Sequence, residues 1–303
     1  MPKVMVLMST YNGEKYLKTQ LDSVLNQEGV DVQILVRDDG STDGTLDILQ
    51  EYAKQGKLTY YTGPNLKPAK SFMDLIRKAS QADYYAFADQ DDYWLPGKLA
   101  RAVEKLGSFS DPQRPSLYYS RTILVDKDLK PYPDNLQKYR KFLTFTQSVI
   151  SSQATGCTFV FNAALVHLAR QYKPEFQLMH DAWLFLICLG VGGNVFFDEQ
   201  SFIYYRQHEN NVIGGCKKSS YALYKRRWHN LMEKNCVRSK SIDELIKGYS
   251  MVMLPENLAV CQKILNYRKG WKQKWELLKD TRIRTGNKEI DRIFVLSILL
   301  ECF

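Results

Sequence analysis

Within the first hundred residues, short apolar runs and amphipathic stretches alternate four times, and that alternation restricts the chain to few folds. Val4-Met5-Val6-Leu7-Met8 reads as a buried strand. Leu17, Leu21, Val24 and Leu25 follow at helical spacing, with Thr10 or Asn12 placed to open the helix. Val32–Val36 is a second apolar strand, and Leu46, Leu49, Tyr52 and Ala53 then share one helical face. Leu58–Tyr61 is a third strand, trailed by Phe72, Leu75, Ile76 and Ala79. Tyr84–Ala88 is the fourth, and Pro96 stands where another helix would begin. A β-α repeat of this kind predicts a mostly parallel sheet with helices on both faces.

The pattern then changes. Leu117–Val125 and Thr158–Phe161 read as strands, Asp181–Leu189 as a helix, and Val195–Phe197 and Phe202–Tyr205 as strands again. Beyond 216 the periodicity is helical. Tyr221, Tyr224, Trp228, Leu231 and Met232 form one stripe, and Ile242, Leu245, Ile246, Tyr249 and Met253 a second. Leu258, Cys261, Ile264 and Leu265 follow Pro255. Gly214-Gly215 interrupts the pattern, so a boundary is expected near 212–218, dividing a main domain (1–215) from a helical C-terminal appendage (216–303).

Charge respects the same division. Residues 1–210 hold 23 Lys and Arg against 24 Asp and Glu, whereas residues 211–303 hold 19 against nine. The basic excess therefore lies wholly in the last third, which suggests a surface for nucleic acid or for anionic lipid. The plainer possibility is a solvated helical face. No zinc-finger, KH or RNP pattern supports nucleic acid. The six cysteines have no metal-type spacing and read as free thiols of a cytosolic protein. No stretch approaches the roughly 18 apolar residues of a membrane span; Ile293–Leu300 comes nearest. The N-terminal apolar run is too short for a signal peptide.

Three polar clusters fall at the C-terminal ends of strands one, two and four, the edge where open α/β sheets bind ligands. Asp89-Gln90-Asp91-Asp92 concentrates carboxylates that repel one another unless a cation joins them. Oxygen ligands of this kind suit Mg²⁺ or Mn²⁺. The alternative is an acidic turn capping the helix near Pro96. Arg37-Asp38-Asp39-Gly40-Ser41-Thr42-Asp43 offers carboxylates to a base or a sugar, or caps the helix after it. Ser9-Thr10-Tyr11-Asn12-Gly13-Glu14 is neither a dinucleotide-binding nor a Walker loop, which argues against both enzyme classes.

In order and spacing these clusters resemble the family 2 inverting glycosyltransferases of GT-A fold, over about residues 1–210. Phe87-Ala88-Asp89-Gln90-Asp91-Asp92-Tyr93-Trp94 and Tyr205-Arg206-Gln207-His208-Glu209-Asn210-Asn211 look most like bacterial rhamnosyltransferases of cell-wall and capsular polysaccharide assembly. The resemblance implies a nucleotide-sugar site of Thr10, Tyr11, Glu14, Asp38, Asp39, Lys70 and Asp89. It implies a divalent cation, Mg²⁺ or Mn²⁺, held by Asp91 and His208. It puts the catalytic carboxylate at Asp181, in a His180-Asp181 pair where many members carry Glu-Asp. His180 and Trp94 become candidates for acceptor contact. His167 and His229 lie in helical patterns and read as structural or surface residues.

An inverting transfer needs a base for the acceptor hydroxyl, here Asp181, and stabilisation of the departing diphosphate. A helix N-terminus favours the ionised form of such a base. The expected donor is dTDP-β-L-rhamnose, with a UDP-hexose or UDP-N-acetylhexosamine as the alternative. The expected acceptor is a glycan, or a lipid-linked glycan, met at the inner face of the cell membrane. A homodimer is also compatible with the stripes. Every acidic position that the family uses is present, which argues against an inactive scaffold. A non-enzymatic nucleic-acid-binding protein is the distant alternative.

Overall fold

The computed structural model describes residues 1–136, 144–152, 154–208 and 236–303. The expected β-α alternation is present as β1 (Lys3–Thr10), α1 (Glu14–Leu25), β2 (Asp31–Asp38), α2 (Thr45–Lys54), β3 (Thr59–Thr62), α3 (Lys67–Lys78) and β4 (Tyr84–Asp89). Then come β5 (Tyr93–Trp94), α4 (Lys98–Gly107), β6 (Ser116–Val125), β7 (Pro131–Leu136) and α5 (Phe145–Ser148). β8 (Val160–Asn162), α6 (Ala163–Arg170), α7 (His180–Gly190) and β9 (Asn194–Arg206) follow. One sheet holds all nine of these strands in the order β3-β2-β1-β4-β8-β6-β9-β5, with β7 paired to β6. β1, β2, β3, β4, β6 and β9 run one way, and β5, β7 and β8 run against them. The sheet is thus mostly parallel, and the C-terminal ends of β1, β2, β4 and β9 reach one edge.

Both faces are covered, for the reason the strand sequences give. Along β1, Met5 and Leu7 enter one apolar core while Val4, Val6 and Met8 enter the other; along β4, Tyr85 and Phe87 oppose Ala86 and Ala88. Side chains alternate across a strand, so a strand apolar at every position needs cover on both sides. α1, α2 and α4 line one core, and α3 and α7 the other. α7 is apolar all round, and within it only Asp181 escapes full burial.

The two strands expected at 195–197 and 202–205 are a single strand, β9. The polar residues between them form an irregularity: Ser120 pairs with Asp198 and Arg121 with Ser201. Asp198 turns inward there and accepts from Arg101 Nε at 2.9 Å. A bulge of this kind leaves the ladder on either side intact. The expected strand at 158–161 starts later, because Gly156–Thr158 form a single 3₁₀ turn.

The C-terminal region is helical as expected: α8 (Val237–Tyr249), α9 (Pro255–Asn266), α10 (Trp271–Lys279) and α11 (Lys288–Leu299). Its inner residues, including Leu245, Tyr249, Ile264, Leu277, Phe294 and Ile298, join the core on the α3–α7 side. The stripe from Tyr221 to Met232, His229, Glu209–Asn211 and the boundary at 212–218 lie outside the described residues. No described helix is long and apolar enough to cross a membrane.

Candidate functional site

The first two loops at the sheet edge are tied to each other. Asn12 Oδ1 accepts from Thr42 N at 2.8 Å, and Asn12 N donates to Ser41 Oγ at 2.9 Å. Gly13 N donates to Thr45 Oγ1 at 2.8 Å, and Glu14 accepts from Gly44 N at 3.0 Å. The third loop joins through Gln90, whose amide exchanges two hydrogen bonds with the Tyr11 backbone, at 2.9 and 3.1 Å. Gly13 permits this approach: a Cβ there would lie 2.3 Å from Gln90 Oε1. Tyr11, 49% exposed, stands at the rim, and Lys70 is exposed on α3.

Asp38 and Asp39 are buried within this frame. Asp38 Oδ1 accepts from Gly40 N and Ser41 N, and its Oδ2 from Thr10 Oγ1 and Ser41 Oγ, four bonds between 2.5 and 3.0 Å. That fills a carboxylate. Asp39 is ion-paired with Arg37, and accepts from Ser71 Oγ and Leu66 N at 3.0 Å each. The two residues expected to touch a base thus differ: Asp38 and the buried Thr10 are spent on the scaffold, and Asp39 ties β2 to α3.

Asp89-Gln90-Asp91-Asp92 is built differently. Burial, with the charges of Asp91 and Asp181, pushes the Asp89 carboxyl up to about 7. Burial drives Asp92 well above the usual carboxylate range, with Asp91 and Asp89 adding to it. Desolvation favours the neutral form of a carboxyl, and neighbouring like charges add to that. Asp91, at the surface side, meets His208 Nε2 at 2.7 Å through Oδ2. The expected pair Asp91 and His208 is therefore brought together across the whole chain. The parallel run of β9 causes this, since it ends at the same edge as β4.

Asp89 and Asp92 also gather with Cys157, their ligand atoms all within 4.8 Å of one another. A buried lysine neighbours that trio. Burial lowers Lys98 to about 7 against the pull of Cys157 and Asp92, and its Nζ lies 3.6 Å from the Trp94 ring centroid. A buried thiol pushed well above its ordinary range is also a poor ligand for a hard cation. The oxygens of Asp89 and Asp91, with His208, are the set that fits Mg²⁺ or Mn²⁺.

Asp181 stands in the first turn of α7, where its charge reaches Asp89. Its carboxylate accepts from Gly156 N at 3.2 Å and Ala182 N at 2.6 Å. Burial nevertheless raises it to about 6, so desolvation outweighs the backbone donors of the helix end. The group remains ionised at neutral pH with a stronger affinity for a proton.

Two expected acceptor contacts are corrected. His180 is 4% exposed, stacks on Phe72 with centroids 4.0 Å apart and meets Phe87 edge-on at 4.9 Å. Burial lowers it to about 3, so it is a neutral core residue wedged below Gly156. Trp94 is 1% exposed, and the Lys98 ammonium lies against its ring. Both face inward, one because α7 is apolar all round and the other because β5 packs against β9.

Sequence reasoning missed Tyr16 and singled out no role for Arg206. Arg206, 3% exposed, donates from Nε to the Asp91 carbonyl at 2.6 Å and from its backbone N to Asp92 Oδ1 at 3.2 Å. Its guanidinium lies 4.4 Å from the Tyr16 ring centroid, and Tyr16 lies 5.1 Å from the His208 ring. The pair thereby holds Asp91 and His208 in register. Arg206 ends an apolar strand one position before a polar turn, a detectable signal; Tyr16 had none.

Residues 5–114 match the model of the family described as Glycosyl transferase family 2. The dTDP-rhamnosyl transferase RfbG of Shigella flexneri is 29% identical over 244 residues, covering 73% of this chain and 80% of that protein. Among solved structures, S. aureus TarS 1–349 in complex with UDP-GlcNAc superposes with a TM-score of 0.56 at 18% identity, over 98% of this chain and 89% of that one. The mannosyltransferase PcManGT from Pyrobaculum calidifontis, in complex with GDP-Man and Mn²⁺, gives 0.50 at 13% identity, over 100% and 81%. These two likenesses are of fold.

Proposed function

We propose that the chain, whose residues 5–114 match the family 2 glycosyltransferase model, is a transferase of that family that moves L-rhamnose from dTDP-β-L-rhamnose, with inversion, to a hydroxyl of a growing, lipid-linked bacterial polysaccharide. The observation that carries the reading is that Asp181 stands near enough to Asp89 for its charge to raise Asp89's proton affinity. A proton acceptor thus stands near the carboxylates suited to a cation that would hold a donor diphosphate. Asp181 takes the acceptor proton as that oxygen bonds to the anomeric carbon, while the bond from that carbon to the diphosphate breaks on the opposite face. Raised to about 6, Asp181 is both ionised and basic enough for the task.

A divalent cation, Mg²⁺ or Mn²⁺, would be held by Asp91 and His208 with Asp89 beside them, and would supply charge neutralisation for the leaving diphosphate. Tyr11, Glu14 and Lys70 line the nucleotide's approach, and Thr10, Asp38 and Asp39 shape it from within. Residues 1–215 form the catalytic unit in this reading, and 216–303 a basic region placed at the inner face of the cell membrane.

The likeness to RfbG and the Asp89–Trp94 and Tyr205–His208 segments support rhamnose. A site without a partner for a 6-hydroxyl rejects a hexose only about 10–200-fold. The test offers dTDP-rhamnose, UDP-glucose and UDP-N-acetylglucosamine with Mg²⁺ or Mn²⁺ and measures nucleoside diphosphate release. Fastest turnover of dTDP-rhamnose is expected. Faster turnover of a UDP-hexose removes the rhamnosyl assignment and leaves the transferase standing.

A further inference from the structure

Two helices near the C-terminus leave large apolar side chains in solvent. Trp271 and Trp275, one turn apart on α10, are 77% and 58% exposed. Leu296, Leu299 and Leu300, at the end of α11, are 43%, 45% and 44% exposed. The two sets adjoin: Lys274 Nζ lies 4.9 Å from the Trp271 ring centroid and 2.7 Å from Glu301 Oε1. These side chains are outside because the inner faces of their helices are already filled by Leu277, Phe294 and Ile298. Leu278, on the same helix as the tryptophans, packs on that core.

Basic residues surround the patch. Lys272 and Lys279 stand exposed beside the tryptophans, and the Lys279 ammonium lies 5.3 Å from the Trp275 ring centroid. On α11, Lys288 and Arg292 share the side of Leu296 and Leu299. A groove of about 550 Å³ joins the charged end of that helix to its apolar end, with Arg284 and Val295 among its walls.

We propose that the α10–α11 face is the surface by which the protein lies on an anionic lipid bilayer. Tryptophan has an apolar body and one N–H, and is enriched at the headgroup level. Lysine and arginine beside it meet lipid phosphates, while leucines enter the acyl boundary. A second copy of the chain fits this face less well. Protein interfaces are depleted in lysine at their centres, and Lys272 and Lys279 stand beside the tryptophans here. The inference deepens the proposed function and rests on it for a membrane-borne acceptor.

The test is co-sedimentation of the full-length protein with phosphatidylglycerol–phosphatidylcholine vesicles, without donor or acceptor. Binding to the mixed vesicles is expected, weakened by salt and accompanied by a blue shift of tryptophan emission. Trp271→Ala with Trp275→Ala should weaken it about tenfold or more, and Lys272→Glu with Lys279→Glu by a similar factor. Melting temperatures and turnover on a soluble acceptor should hold in both, because the four side chains are exposed and far from the proposed chemistry in sequence. Wild-type affinity in both double variants overturns the assignment, as does absence of binding by the wild type. A dimer that the variants dissociate while vesicle binding persists overturns it too. If vesicle binding behaves as expected and the donor assay rejects rhamnose, the sugar assignment falls and this surface stands.

Discussion

The carboxylates at the ends of β2 and β4 reach one sheet edge and are opposite in their electrostatics. Asp38 accepts four hydrogen bonds and Asp39 is ion-paired, so each negative charge is compensated by its own loop. Burial pushes Asp89 and Asp92 upward, and the charge of Asp91 adds to it at both. One set builds a frame, and the other stores repulsion that a cation or a proton would relieve. A polypeptide that satisfies every charge in one loop and gathers buried carboxyls of raised proton affinity in the next is set up to bind something positive in the second.

The largest expected effect breaks the comparison at its reactive end. Asp181→Asn should lower turnover by about 10² to 10⁴ while melting temperature and donor affinity stay near wild type. In the wild type, turnover should fall as pH is lowered through about 6, because the proton acceptor is lost. The linked stability runs the other way. The folded state holds a proton that the unfolded chain releases near 3.8, so this group's contribution to stability is lost as pH rises from about 4 to 6. Unchanged turnover in Asp181→Asn would remove the base assignment.

Asp38→Ala probes the frame. It leaves two backbone N–H groups and two hydroxyls without their acceptor, at a cost of about 3 kcal/mol, or roughly 5 °C in Tm. Thermal unfolding without ligands reads this directly, and a variant as stable as the wild type would show that the loop bonds are interchangeable with water. Asp91→Ala should be milder in stability and specific in binding: about tenfold weaker nucleotide-sugar binding with divalent metal, and little change without it. A chelator should abolish wild-type activity. Full activity in EDTA would take the cation out of the proposal.

How much of this was legible in the chain follows from the range of the interactions. The alternation of Val4–Met8, Val32–Val36 and Tyr84–Ala88 with helical stripes determined the parallel half of the sheet, because covering both faces of an apolar strand is a local demand with few solutions. The same pattern put Thr10, Asp38 and Asp89 at strand ends and hence on one edge. Resemblance added Asp181 and His208. Tertiary structure alone decided which groups are spent and which are strained. Asp38 and Asp91 look alike in sequence, and only the neighbours Thr10, Gly40 and Ser41 on one side, and Asp89, Asp92 and His208 on the other, separate them. It also decided that His180 and Trp94 face inward and that Tyr16 and Arg206 brace the His208–Asp91 contact. Burial and long-range charge depend on residues distant in the chain, and no local period in the sequence encodes them.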